Sequence, residues 1–301
     1  MKKIDPNVKI VAIPNEMMGR KYKYKVLIDN KLYIMKFNGI NYEIFAELIA
    51  ERIGKQLGIE MAHYDICEYK GHTGLITPVF LDTQNGELIM SVKALLETGQ
   101  DICFENNIKF DLKENTIENI IRAVSLYDKR VDLTSVMKEL TKRWLFYGLI
   151  MESDKNNTNI SFIKDQNSNL KLSPDYDNST MARMNEDINT FIDNLKHGAD
   201  IYSLIDKIKT ALKIDISPND EFLVNYKLFL DDYAGYYKDV IESFENISID
   251  DAIAEVEQDN EIEVPWEIKY WLNKTITARK NDMLSLLHQK LDKDNNNQKK
   301  H

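Results

Sequence analysis

The stretch from Trp144 to Asp177 constrains the fold most, because a helix, a polar loop and two short strands follow one another there without a break. The apolar positions between Leu145 and Ile150 have helical spacing and give way to a polar loop that runs from Asp154 to Asn159. Two short strands around an Asn-rich turn come next. Pro174 closes the second strand, so the sequence predicts that Asp177 emerges beside Asp154 and Asn159.

These three side chains are the types that phosphoryl transfer requires. A carboxylate and an amide, Asp177 and Asn159, can hold a hard cation such as Mg²⁺ against the phosphates of ATP. The remaining carboxylate, Asp154, can accept the proton of an attacking hydroxyl. The competing interpretation is that Asp154 and Asn159 only form a turn at a helix end, in a chain rich in both residue types.

The composition is that of an ordinary globular protein. Its 301 residues allow one large domain or two lobes, and 43% are hydrophobic and 29% charged. We expect no secretory signal or membrane span, since charged residues interrupt every long apolar run. Cys67 and Cys103 lack the spacing of a metal site or a disulfide framework, which favours core positions and a reducing cytoplasm. The net charge of −10 argues against direct nucleic-acid binding.

Three strands are predicted near the N-terminus, over residues 8–13, 22–28 and 32–37, with a turn at Asp29 and Asn30. Lys36 shares a face of the third strand with Ile34, because side chains alternate along a strand. One interpretation is an edge-strand lysine that prevents aggregation. The other is a lysine that reaches the α- and β-phosphates of ATP while Ile34 covers the adenine.

An amphipathic helix is predicted over residues 43–57, with Glu43, Glu47 and Glu51 at four-residue intervals. The glutamates form either a solvated face or a row of which one member holds the phosphate-binding lysine. We assign that role to Glu47, which lies in the middle of the helix among apolar residues. Strands over residues 63–69 and 74–81 follow. They end at Pro78, Val79 and Phe80, where the backbone of a hinge would bind adenine.

The remainder is predicted to be mostly helical. Ser179 and Thr180 follow Asp177 and are either candidate phosphosites or ordinary turn hydroxyls. The aromatic residues of the long segment after Pro218 are assigned to helix packing. The tail is predicted to be polar and frayed. The predicted helices cover residues 87–97, 116–127, 133–153, 187–195, 201–212, 218–244, 249–258 and 265–291.

At this point the motifs resemble those of the HipA-like serine/threonine kinases, and most of all the short CtkA-type bacterial kinases. The matching pieces appear in the expected order along most of the chain: Gly19-Arg20-Lys21, LYIMKF, AELIAERIGKQLGI, NGELIMSVKALL, DKNNTN and LSPDYD. The resemblance implies an α+β, two-lobed protein-kinase-like fold. A small β-rich lobe with one helix would span residues 1–86, a helical lobe residues 87–291, and a polar tail residues 292–301.

The resemblance also implies roles for individual residues. Asp154 would be the catalytic base, Asn159 and Asp177 the Mg²⁺ ligands, and Lys36 the phosphate-binding lysine with Glu47 as its partner. The ATP site would be completed by residues of the first loop, the sheet and the hinge: Gly19, Lys21, Ile34, Pro78, Val79 and Phe80. The implied reaction transfers the γ-phosphate of ATP to Ser or Thr of a protein or of the enzyme itself, and the implied partner is a small antitoxin-like protein.

The chain departs from the family pattern in three places. Asn156 stands where a His is frequent, Asp177 leads into Asn178 rather than a Phe-Gly pair, and Gly19 is the only glycine of its loop. Two other functions therefore stay open. One is a pseudokinase that binds nucleotide and serves as an interaction module. The other is a kinase for phosphoinositides or other small molecules.

Overall fold

The computed structural model describes residues 1–12, 22–37, 42–109, 111–205, 212–213 and 221–298. It is a mixed α+β structure whose N-terminal part is rich in sheet and whose C-terminal part is helical. This is the predicted fold class. Gly19, Lys21 and the residues between the predicted ends of the first two strands lie outside the described residues.

The main sheet has six strands in the order β1-β5-β6-β4-β3-β2. All neighbours are antiparallel except β1 and β5. Asp29 and Asn30 both have positive φ, 48° and 61°, which is the geometry of a tight two-residue hairpin turn and confirms the predicted turn. The strands are β1 (Lys2–Lys3), β2 (Lys9–Ala12), β3 (Tyr22–Ile28), β4 (Lys31–Phe37), β5 (Asp65–Tyr69) and β6 (His72–Pro78).

The two faces of this sheet bury different clusters. One face carries a small cluster of its own around Val26, Met35 and Ile76. The opposite face, which carries Leu75, packs on α1 (Tyr42–Gln56) and joins the main core of the protein. Lys36 neighbours Met35 in β4 and therefore points to the α1 side.

A second sheet, in the order β7-β8-β9, lies in the C-terminal part: β7 (Leu88–Ser91), β8 (Ser161–Lys164) and β9 (Leu170–Leu172). The two strands predicted after Asn159 are confirmed, but the helix predicted over residues 87–97 is wrong in its first half. Leu88 to Ser91 pair with β8 instead, and the helix starts only at Val92, where the Ser91 hydroxyl accepts a hydrogen bond from the Ala94 N–H. A distant strand thus overrides the local helical spacing.

The described residues form eight further α-helices: α2 (Val92–Glu105), α3 (Ile117–Tyr127), α4 (Leu133–Ile150), α5 (Ile188–Lys196), α6 (Ile201–Ile205), α7 (Phe222–Ser243), α8 (Ile249–Asn260) and α9 (Trp266–Gln298). Helix α4 ends three residues before its predicted end, because Met151 adopts a left-handed conformation. Helix α9 continues past its predicted end into the polar tail, where no Pro or Gly interrupts it.

Aromatic residues bind α4 to α7 in the core. The Trp144 ring lies 5.0 Å from that of Phe222 and 5.3 Å from that of Phe229, measured between centroids. Tyr226 stacks on Phe222 at 5.7 Å. The assignment of these aromatic residues to helix packing is therefore confirmed. The side chains of residues 232–237 lie outside the described part of the chain.

Helix α8 reaches back to α1 through polar contacts. The buried Arg52 guanidinium lies 2.7 Å from Asp259 and 3.5 Å from Glu255, both on α8. The Gln56 amide donates to the Ser248 carbonyl at 3.0 Å and accepts from the Ser248 N–H at 2.9 Å. These contacts fix the C-terminal half of α1 against the start and the end of α8. Within the described residues, no helix is long and apolar enough to cross a membrane.

Candidate active site

Lys36 is the centre of the site. Strand β4 lies between β6 and β3, so Lys36 is on a central strand and the edge-strand interpretation is wrong. Its side chain is only 5% exposed. The ammonium donates to the Glu47 carboxylate at 2.5 Å and to the Asp177 carboxylate. A buried ammonium is tolerated here because two carboxylates compensate for its lost hydration.

The three members of this triad affect one another's pKa values. Burial and the neighbouring Asp177 carboxylate raise the pKa of Glu47, although Lys36 acts to lower it. Burial disfavours the charged form of Lys36, but the carboxylates of Asp177 and Glu47 outweigh burial and raise the pKa of Lys36 above its usual value. Burial likewise opposes the charged form of Asp177, but the ammoniums of Lys36 and Lys23 hold its pKa well below the usual value. Both groups therefore stay ionised throughout the physiological pH range.

The row of glutamates on α1 is buried, so the interpretation as a solvated face is wrong. Glu47 accepts from Lys36 with one oxygen and from the Asn178 N–H, at 2.7 Å, with the other. Glu51 serves a different cluster, in which it accepts from Lys55 at 2.6 Å and from the Tyr64 N–H at 3.1 Å. All three glutamates are buried, so Glu47 differs from the other two in its partners and not in its exposure.

The loop after α4 comprises residues 152–160 and is called the Asp154 loop. Hydrogen bonds from side-chain amides within the loop stabilise its conformation. Asn159 donates through Nδ2 to the Asp154 carbonyl at 2.7 Å and to its carboxylate at 3.3 Å. Asn156 donates to the other carboxylate oxygen at 3.0 Å. Asp154 and Asn159 are therefore in direct contact within the loop. Both bonds of Asn159 use its nitrogen, which directs the amide oxygen to other ligands.

Lys155 links the Asp154 loop to residues 173–180, hereafter the Asp177 segment. Its ammonium lies 3.2 Å from the Asp175 carboxylate and donates to the Tyr176 carbonyl. Burial opposes ionisation of Asp175, but Lys155 and Arg143 outweigh it and lower the pKa of Asp175. Sequence reasoning missed this contact, because a lysine in a polar loop has the pattern of a solvated residue.

Glu152 forms a second link between the loop and the segment. This fully buried carboxylate accepts from the Asp154 N–H at 2.9 Å, from the Thr180 N–H at 3.2 Å and from the Thr180 hydroxyl. Burial raises its pKa to about 7. Of the two candidate phosphosites, Ser179 is buried and Thr180 is half-buried with its hydroxyl on Glu152. Both hydroxyls are thus partly or wholly shielded from solvent.

At the end of β6, the Val79 N–H donates to the Leu32 carbonyl at 2.9 Å and so extends the sheet. Pro78 is exposed and pairs with Tyr33, while the half-buried Phe80 ring lies 6.1 Å from the Tyr176 ring. The predicted hinge therefore borders the Asp177 segment through Phe80. The Val79 N–H, one of the backbone donors of the predicted hinge, is occupied by the Leu32 carbonyl of β4.

A second lysine that the sequence analysis missed faces the same carboxylate. Lys23 lies opposite Lys36 in the β3–β4 register, and its ammonium is 3.7 Å from the second oxygen of Asp177. Ile34 is half-buried on the same face of β4 as Lys36. The face thus presents two cations to Asp177 and carries an aliphatic side chain on the same strand as Lys36.

The donor set suits a cation that is shared with phosphate. In the described part of the chain, no group of three or more His, Cys, Asp or Glu side chains could hold a metal ion by itself. Asp177 and Asn159 offer one carboxylate and one amide. Mg²⁺ in nucleotide sites takes only one or two protein ligands and completes its shell with phosphate oxygens and water. The residues present therefore fit Mg²⁺ bound together with a nucleotide.

A lysine on a central strand, paired with a helix glutamate and with an aspartate beyond a hairpin, next to a loop with Asp and Asn, is the arrangement of the protein-kinase-like fold. The sequence matches the family model of the HipA-like C-terminal domain over residues 16–222, which is more than half of the chain. The chain therefore belongs to the HipA-like family.

Several solved structures are similar to this fold, among them the two that follow. The first is the proinflammatory kinase CtkA of Helicobacter pylori, with a TM-score of 0.69, 18% sequence identity, and coverage of 95% of this chain and 97% of that one. The second is HipA of Shewanella oneidensis, in a toxin-antitoxin complex with HipB and operator DNA. Its TM-score is 0.55, its identity 18%, and the alignment covers 96% of this chain and 69% of that one. Among curated proteins, none matches the chain.

Proposed function

We propose that this protein is an ATP- and Mg²⁺-dependent kinase that transfers the γ-phosphate to a Ser or Thr hydroxyl of a protein or of the enzyme itself. The observation that carries this proposal is the buried Lys36, whose ammonium is shared by Glu47 and Asp177. A lysine held in this way projects a fixed positive charge at the place where the phosphates of a nucleotide would bind.

The roles of the chain follow from this geometry. Lys36 and Lys23 would bind phosphate oxygens, and Ile34 would cover the adenine. The backbone of residues 78–80 would border the base. Since the Val79 N–H already donates to Leu32, Phe80 is the better candidate for a backbone bond to adenine. Gly19 and Lys21 remain phosphate-loop candidates on the resemblance alone.

In the reaction, Asp154 accepts the proton of the acceptor hydroxyl, and the hydroxyl oxygen forms a bond to the γ-phosphorus. The bond between that phosphorus and the bridging oxygen breaks, and ADP leaves. Asn159 and Asp177 would hold Mg²⁺, which neutralises charge on the transferring phosphate. Asn156 and Asn159 both donate to the Asp154 carboxylate, which orients it in the loop.

The biological setting is proposed from the family. The Shewanella relative is described with HipB and operator DNA. We propose that the present chain also has a small antitoxin-like protein partner and acts in the cytoplasm. Its net charge of −10 argues against direct contact with nucleic acid.

The test is incubation with radiolabelled ATP and Mg²⁺, with and without a generic protein acceptor. We expect label on protein Ser or Thr with wild type and none with Asp154→Ala or Asp177→Ala. Asp193→Ala changes an exposed aspartate on α5 and should label like wild type. We also expect Asp154→Ala to keep ATP binding better than Asp177→Ala, because only Asp177 contacts Lys36.

Two outcomes would replace the proposal. Thermal stabilisation by ATP without any transfer would identify a pseudokinase, that is, a nucleotide-binding interaction module. Transfer to phosphoinositides or other small molecules, with no label on protein, would identify the other kind of kinase. Equal labelling of protein by wild type and both aspartate variants would remove Asp154 and Asp177 from the reaction.

A further inference from the structure

Lys155 is fully buried, whereas the residues on either side of it, Asp154 and Asn156, are not. Its relative exposure is 0%, whereas Ser153, Asp154 and Thr158 are exposed. Burying a flexible ammonium costs both hydration and side-chain entropy, so a lysine at such a position requires compensating contacts.

The contacts of the Lys155 ammonium described here come from the Asp177 segment and from α4. The ammonium lies 3.2 Å from the Asp175 carboxylate and donates to the Tyr176 carbonyl. It is also within 5.2 Å of the Tyr147 ring centre and 5.7 Å of the Tyr176 ring centre. Lys155 directly follows Asp154, and Tyr176 directly precedes Asp177. One side chain therefore connects the peptide units next to the proposed base and the proposed metal ligand.

Asp175 is itself fixed from several sides. The Tyr147 hydroxyl and the Asn178 amide, at 2.9 Å, both donate to its carboxylate. Its backbone N–H and C=O each make a 2.7 Å bond to residues 60 and 62, which follow α1. The partner of Lys155 is thus anchored to α4, to the Asp177 segment and to the end of α1, so it provides a fixed reference point for the Asp154 loop.

Lys155 restrains a stretch of backbone that has an unfavourable conformation. Asp177 has φ +63°, a left-handed conformation that is unfavourable for a residue with a side chain. The carbonyl that accepts from Lys155 belongs to the peptide unit just before it. The bond therefore restrains the peptide that determines where the Asp177 carboxylate points.

We infer that Lys155 and Asp175 form a positioning pair that sets the separation and orientation of Asp154 and Asp177. This inference rests on the proposed kinase function and assigns to it two residues that do not touch the reacting groups. A buried ion pair can usually be replaced by neutral residues with little loss of stability. A role in positioning therefore predicts that stability and catalysis respond differently to its replacement.

The experiment compares Lys155→Met with the double variant Lys155→Met/Asp175→Asn. Lys155→Met leaves Asp175 without its nearest cation, so its urea midpoint should fall clearly below that of wild type. The double variant removes both charges and keeps an acceptor for the Tyr147 hydroxyl. The buried Arg143 guanidinium, 3.7 Å from Asp175, loses that carboxylate, so the midpoint should recover only part of the way to that of wild type. Lys142→Met is the control, since Lys142 is a largely buried lysine on α4 whose ammonium pairs with Glu139 instead of Asp175.

Catalysis should not recover with stability. For the double variant we expect kcat to be reduced by about 100-fold, in line with a displacement of about 1 Å at a reacting group, while KM for ATP changes by less than about threefold. We also expect Mg²⁺ to strengthen ATP binding less than in wild type, measured by titration calorimetry with and without the metal. A double variant with both wild-type kcat and wild-type Mg²⁺ dependence would overturn the inference.

The effect of Mg²⁺ on ATP binding distinguishes failure of the proposed kinase function from failure of the proposed role of Lys155. If wild type transfers no phosphate, the proposed function fails, and the effect of Mg²⁺ on ATP binding still decides the role of Lys155. If wild type transfers phosphate and the double variant does so equally well with the same Mg²⁺ dependence, the positioning role alone fails.

Discussion

Replacing Lys36 by Met is the sharpest test of the site, because it removes the charge and keeps most of the volume. Glu47, which is 1% exposed, then loses the one cation that pairs with it among the described residues, while Asp177 keeps Lys23 at 3.7 Å and some contact with solvent. The cost is therefore dominated by Glu47. Breaking a buried ion pair from one side costs about 3–5 kcal/mol.

Urea unfolding, followed by circular dichroism, measures this loss. With an m-value of about 3 kcal/mol/M, that loss lowers the midpoint by about 1 to 1.7 M. Lys31→Met changes an exposed lysine at the start of the same strand and should stay within about 0.5 kcal/mol of wild type. ATP binding should weaken in Lys36→Met and remain normal in Lys31→Met.

The loss of stability in Lys36→Met should also depend on pH, which gives a second test. A buried carboxylate without a cation has a folded-state pKa above its unfolded value of about 4.3. Its cost is absent below the unfolded pKa and complete above the folded pKa. The loss in Lys36→Met should therefore be smaller at pH 5 than at pH 8. Equal midpoints for the two lysine variants, or a loss that is the same at both pH values, would refute the account of this triad.

Two further predictions concern the support of the site. Burial raises the pKa of Glu152 from 4.5 to about 7, so its ionisation costs stability increasingly as pH rises through this window. Relative to wild type, Glu152→Gln should gain about 3 kcal/mol between pH 5 and pH 8 in urea titrations, and a pH-independent difference would contradict the assignment. In α4, a Cβ on Gly148 would overlap the Phe222 ring. Gly148→Ala should therefore lower the free energy of unfolding by at least about 2 kcal/mol, although Ala is the better helix former, and Phe222→Leu should restore part of it. An unchanged melting temperature in Gly148→Ala would show that the ring moves freely.

Several parts of the site could be predicted because they depend on residues that are close together in the sequence. The period of a strand placed Lys36 beside Ile34, and a polar loop between a helix and a hairpin placed Asp154 near Asn159. What the sequence left open was strand order. Only the position of β4 in the middle of the sheet decides between a solubility lysine and a buried one. The choice of Glu47 among three equally spaced glutamates also depended on a distant partner.

Lys23 could have been found. A two-residue turn at Asp29 and Asn30 places Ile28 opposite Lys31, and counting outward along both strands puts Lys23 opposite Lys36. Facing residues of neighbouring strands share a side of the sheet. Lys155 had no comparable signal, because its partner Asp175 is 20 residues away and the hairpin between them does not fix the approach of the two loops.

The contacts between α8 and α1 have a consequence for where the folding unit ends. The family match stops at residue 222, but Ala252, Ile253 and Val256 of α8 belong to the same hydrophobic cluster as Ile49 and Ile53 of α1. Beyond α8, the Trp271 indole donates to the Ala182 carbonyl at 2.7 Å, just after the Asp177 segment. A fragment cut at residue 222 would expose the apolar back of α1, the helix that carries Glu47. The last quarter of the chain thus supports the helix that carries Glu47, and the smallest stable unit extends well beyond the region of the family match.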